Sequence, residues 1–175
     1  MPATKLSEPK THIFADDGAV PNNARLPFLI YRDVFVLIGT PDPETVIERV
    51  FRENGWGQMW RNGIYPYVHY HSKIHESMGI ARGRAKVRFG GDKGKVIDLM
   101  QGDVVVLPAG IGHQCLWASP DLLVIGAYPR TGRYDLCRGS KGERDKALKS
   151  IPYVPIPDTD PVFGKQGPLL RLWCN

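Results

Sequence analysis

The stretch GIYPYVHYHSKIHESMGIARG, residues 63–83, decides how this chain is read, because His69, His71, His75 and Glu76 fall together within it. In an extended strand residues i and i+2 point to the same face, so the imidazoles of His69 and His71 can reach one ion. A turn-like Ser72-Lys73-Ile74 follows. His75 and Glu76 are then neighbours that must point opposite ways if the next strand begins there. Met78 and Ile80 share the face of Glu76, whereas Ser77, Gly79 and Ala81 share that of His75. The bulkier set belongs toward a core, so parity selects Glu76 as the third ligand. His75 is the alternative, either as a replacement ligand or as a proton carrier beside the ion.

Working outward, residues 102–113 read GDVVVLPAGIGH: a turn, a β-branched run, a Pro-Ala-Gly turn, and a histidine that opens the apolar HQCLW. His113 is the natural fourth ligand. The two segments together resemble the paired signature of the cupin superfamily. Gly63, His69, His71, Glu76 and Gly83 fill the fixed places of its first half, and Gly102, Pro108, Gly110 and His113 those of its second. Trp117 departs from it, standing where the family has Asn. The wider chain, including HYHSKIHESMGIARGRAKVRFGG and the terminal GPLLRLW, is similar to the YjlB-type single-domain cupins. That resemblance implies an all-β fold, a cupin-type jelly-roll β-barrel (double-stranded β-helix), and a homodimer.

Three imidazoles and one carboxylate suit one divalent transition metal per chain, Fe, Mn, Ni, Co or Zn, without selecting among them. Four protein ligands on an ion that prefers six leave positions open for catalysis. The leading expectation is a metal-dependent enzyme acting on a small oxygen-rich or anionic metabolite, a dioxygenase-type oxidoreductase. A metal-dependent sugar or keto-acid isomerase or a decarboxylase is the second reading, and a non-catalytic small-ligand or metal-binding module the third.

The flanking sequence supports one domain, 1–175, with an N-terminal arm over 1–24, a barrel core over 25–130 and a C-terminal extension over 131–175 packing on the barrel. With 42% hydrophobic residues, 19 glycines and 15 prolines, many short strands fit better than long helices. The exception is a helix near 43–54, where Asp42 can cap, Pro43 suits the first turn, and Val46, Ile47, Val50 and Phe51 recur at helical spacing. The apolar stretch over 26–38 can supply a strand pair or one long strand, and a short helix over 143–150 and an edge strand over 168–173 complete the tail. Tyr65 and Tyr67 share the parity of His69 and His71, so they either line the cavity or fill the barrel; Tyr67, nearer His69, is the substrate-contact candidate. Cys115 reads as a packing thiol rather than a soft neighbour of the metal.

The net charge of +5 comes from scattered Lys and Arg, with no recognition helix or aromatic RNA-binding motif, which argues against nucleic acid as a partner and for a small-molecule substrate. Three widely spaced cysteines, Cys115, Cys137 and Cys174, make no disulfide framework and fit a reducing compartment. No apolar run reaches the roughly 18 residues of a membrane span. The expectation is a cytoplasmic chain without membrane contact.

Overall fold

The computed structural model describes residues 4–174. Within them the chain forms β1 (Lys10–Phe14), β2 (Asn23–Tyr31), α1 (Pro43–Glu53), β3 (Trp56–Asn62), β4 (Glu76–Arg82), β5 (Arg84–Phe89), β6 (Lys95–Met100), β7 (Val104–Leu107), β8 (His113–Ala118), β9 (Leu123–Pro129), α2 (Lys141–Ser150) and α3 (Pro168–Trp173). A six-stranded sheet has the order β1-β2-β7-β4-β9-β3, and a three-stranded sheet the order β6-β5-β8. Every ladder is antiparallel. This is a two-sheet, jelly-roll-type sandwich, and it is predominantly sheet.

Side-chain alternation explains why the larger sheet is buried on both faces. One set, Phe28 and Ile30 of β2, Met78 and Ile80 of β4, Val105 and Leu107 of β7 and Val124 of β9, packs between the sheets against Ala85, Val87, Phe89, Ile97 and Leu99. The other set, Leu29, Tyr31, Ala81, Val104, Val106, Ile125 and Ala127, packs outward against Ile47, Val50 and Phe51 of α1 and Leu169 and Trp173 of α3. The run VVVL therefore carries no polar alternation, since no position of β7 meets solvent. At Gly79 a Cβ would lie 2.8 Å from Ile47 Cγ2, so glycine is what lets α1 press onto β4.

Three expectations are corrected. The segment through Tyr65 and His71 is not a continuous strand: His69 and Tyr70 make single bridges, to His113 and Cys137. The apolar stretch after residue 26 is neither one long strand nor a pair, because Asp33 takes a left-handed φ of 46° and turns the chain off the sheet after Tyr31. Residues 168–173 are helical, not an edge strand. Pro168 suits the first helical position, and the buried Asp160 carboxylate, distant in sequence, accepts the Leu169 N–H at 3.2 Å as a non-local cap. The helices expected near 43–54 and 143–150 are α1 and α2; Asp42 accepts the Thr45 N–H at 3.1 Å, and Ser140 with Glu143 forms a capping box.

Candidate metal centre

Short backbone ties aim each histidine into one cavity. His69 Nδ1–H donates to the Tyr67 carbonyl at 3.0 Å, and His113 Nδ1–H to the Ile111 carbonyl at 3.1 Å. His71 Nδ1–H donates to the Asp135 carbonyl. The Asp135 carboxylate meanwhile accepts the Ser72 N–H, the Ser72 hydroxyl at 2.7 Å and the Lys73 N–H, which fixes that loop beside His71. With all three Nδ1 atoms engaged, each ring keeps its Nε2 lone pair for an electrophile. The backbone bridge between His69 and His113, with N–H···O distances of 3.1 and 2.9 Å, holds those rings 3.9 Å apart between centroids.

Glu76, the first residue of β4, enters from the opposite wall. Its Oε2 lies 3.3 Å from His71 Nε2 and 3.4 Å from His113 Nε2, and it is a buried oxygen with no hydrogen-bond partner. One ligand atom from each of His71, Glu76 and His113 lies within 4.8 Å of the others. His69 lines the same cavity outside that tighter group, its centroid 6.2 Å from that of His71. Burial alone would raise the Glu76 pKa, but the two imidazoles hold it well below the carboxylate range. Burial lowers His71, yet the Glu76 carboxylate together with the Asp135 carbonyl and carboxylate leaves that imidazole above its usual value. His69 is pushed down to about 3 by burial and by His113. A buried unpartnered carboxylate oxygen facing convergent imidazole nitrogens fits a divalent ion held by nitrogen and oxygen donors.

His75 goes elsewhere. Fully buried on the other face of β4, it accepts the Ala109 N–H through Nδ1 at 2.9 Å and packs 4.8 Å from the Trp173 ring. Burial pushes it down to about 4, and it does not line the cavity. Tyr67 also stays off the lining; it stacks at 4.9 Å on Tyr65, which does line it, and lies under the Arg138 guanidinium at 3.9 Å. Trp117 is half exposed, with Arg84 5.5 Å from its ring, so the departure from the family pattern falls outside the cavity. Cys115 packs against the inter-sheet core.

The cavity, about 350 Å³, has further walls that the motif does not mark: Trp60 of β3, Tyr128 of β9, Tyr134, and the amides of Gln58 and Asn62. Trp60 sits opposite Gly126, where a Cβ would fall 1.9 Å from the indole, so glycine makes its room. Gln58 occupies the bulge between Gly57 and Trp60 with φ of 49°, a left-handed conformation that re-aims its side chain. The Trp60 indole N–H donates to the Tyr128 hydroxyl oxygen at 3.1 Å. Since indole only donates, the Tyr128 proton is left free for another acceptor. Burial, then the neighbouring Glu76 charge, raises the Tyr128 pKa far above the usual phenol value, so it remains a neutral donor. Alternation along β9, with Val124 already in the inter-sheet core, is the signal that could have pointed Tyr128 inward.

Fold and site together define a cupin. The chain belongs to the YjlB family: it is 40% identical over 168 residues to the uncharacterized protein YjlB of Bacillus subtilis (strain 168), across 96% of this chain and 98% of that protein. No protein-family model matches. Among solved structures it is similar to QdtA, a sugar 3,4-ketoisomerase from Thermoanaerobacterium thermosaccharolyticum in complex with TDP, at 16% identity over 54% of this chain and 74% of that one, with a TM-score of 0.40. It is also similar to acireductone dioxygenase from Bacillus anthracis with a cadmium ion in the active centre, at 16% identity over 52% of this chain and 64% of that one, TM-score 0.36. Likenesses this distant assign no reaction.

Proposed function

We propose that the chain is a mononuclear-metal cupin enzyme in which His69, His71, Glu76 and His113 hold one divalent transition metal, and that it is a dioxygenase-type oxidoreductase acting on a small oxygen-rich or anionic metabolite. The observation that carries the metal reading is the set of three imidazoles, each tied through Nδ1 to a backbone carbonyl, converging with the unpartnered Glu76 Oε2. When bound, the metal supplies open positions for substrate oxygens and for dioxygen. Around it the chain sets the rings of Trp60, Tyr65 and Tyr134 and offers the Tyr128 hydroxyl as a fixed proton or hydrogen-bond donor. That donor favours a second reading, a metal-dependent isomerase or decarboxylase, in which a proton delivered to substrate is the essential event. Cytoplasmic location and homodimer formation complete the proposal, on the strength of the cupin resemblance.

Elemental analysis tests the ligand set. His69→Ala and His113→Ala should each lose most bound metal while far-ultraviolet circular dichroism is unchanged, and Glu76→Gln should weaken binding at least about tenfold more than His75→Gln. Metal content unaffected by these substitutions overturns the assignment. Oxygen uptake by the iron-loaded protein in the presence of substrate separates the oxidoreductase from the isomerase.

A further inference from the structure

The charges around the cavity narrow what can enter it. Among the described residues no Lys or Arg lines it, and Glu76 is its sole formal charge. The Arg138 guanidinium is engaged over the outer ring, Tyr67, away from the lining. A phosphate or a dicarboxylate in this volume would be desolvated with only the ion to compensate it, and sites for such groups carry Arg or Lys forks. What the walls do offer is aromatic faces. Tyr134 lies over His71 at 5.2 Å between centroids and meets Tyr128 edge-on at 5.5 Å. Tyr65 also lines the cavity with a ring backed by Tyr67, and Tyr65 and Tyr134 are about half exposed, at 45% and 49%. A divalent ion with three neutral imidazoles and one carboxylate carries a net single positive charge, which one ionised hydroxyl balances.

We infer that the cavity takes a small, flat, conjugated molecule bearing no phosphate and no more than one anionic group, seated against Tyr65 and Tyr134 with neighbouring hydroxyl or carbonyl oxygens turned to the metal. This rests on the metal reading above and replaces its broad substrate description with one class. The cavity lies at the small end of ligand-pocket volumes, so a compact ring system fits and a nucleotide-sized ligand does not.

The test is calorimetric titration of the zinc-loaded protein with catechol and, separately, with oxalate, two oxygen chelators that differ in ring and charge. Catechol should bind and oxalate should bind at least about tenfold more weakly, the order that ring stacking without a cationic partner dictates. Tyr65→Ala and Tyr134→Ala should each weaken catechol by about tenfold, with Tyr65→Phe and Tyr134→Phe restoring it, while oxalate is indifferent to all four. Zinc retained with oxalate bound as tightly as catechol, or catechol indifferent to loss of both rings, overturns the inference and leaves the metal reading standing. Failure to bind zinc at all removes the metal reading and this inference with it.

Discussion

His71 is the most loaded residue of the chain, since its Nδ1 is spoken for by the Asp135 carbonyl and its Nε2 faces Glu76. Because Glu76 and Asp135 together raise this imidazole above its usual value despite its burial, protons compete with a metal here as the pH falls. Zinc affinity should therefore fall as pH is lowered from about 8 to about 6, followed by a chelator-competition assay, because a ligating imidazole must be deprotonated. The four proposed ligands were picked out by an i, i+2 histidine pair, a parity choice between adjacent residues, a histidine after a Pro-Ala-Gly turn and the cupin resemblance, and all four line one cavity. Parity also separated Glu76 from His75 correctly as to face, and the structure turns His75 to the Trp173 side. Alternation along β9 could have turned Tyr128 inward, but its pairing with Trp60 was not legible, because one indole donating to one phenol across β3 and β9 is something no local pattern encodes.

Among the elements, α3 shows why the C-terminal tail escaped sequence reading. Its six residues, PLLRLW, carry no side-chain cap of their own, and an apolar run that short reads equally as strand. The missing cap comes from Asp160, whose carboxylate also accepts the Val162 and Phe163 N–H groups at 2.8 and 3.0 Å and the buried Tyr31 hydroxyl. Asp160→Ala strands all of these donors, so urea unfolding should show a loss of about 3–5 kcal/mol, with Asp160→Asn costing less. By contrast α1 was legible in full, because its cap, its proline and its apolar stripe lie within its own sequence.

On the scale of the whole molecule, the larger sheet separates two cores, and its outward core is closed by segments far apart in the chain, α1 and α3. Turn signals and short apolar runs announced the sandwich; nothing local said that the last helix would seal it. Trp173 does so, buried among Leu29, Tyr31 and Val106 and donating to the Pro27 carbonyl at 2.9 Å. Trp173→Ala should cost about 3–5 kcal/mol in urea denaturation, by the cavity left in a packed core, with zinc stoichiometry intact, since Trp173 reaches the far face of β4 rather than the cavity. The paired backbone bonds between His69 and His113 have a counterpart on the other side of the site. Tyr70 and Cys137 exchange a second such pair, and the Asp135 carboxylate grips Ser72 and Lys73, so the His71 segment is braced as the His69 segment is. The pocket is therefore a stiff frame assembled by the fold itself, which spares any guest the cost of ordering its walls.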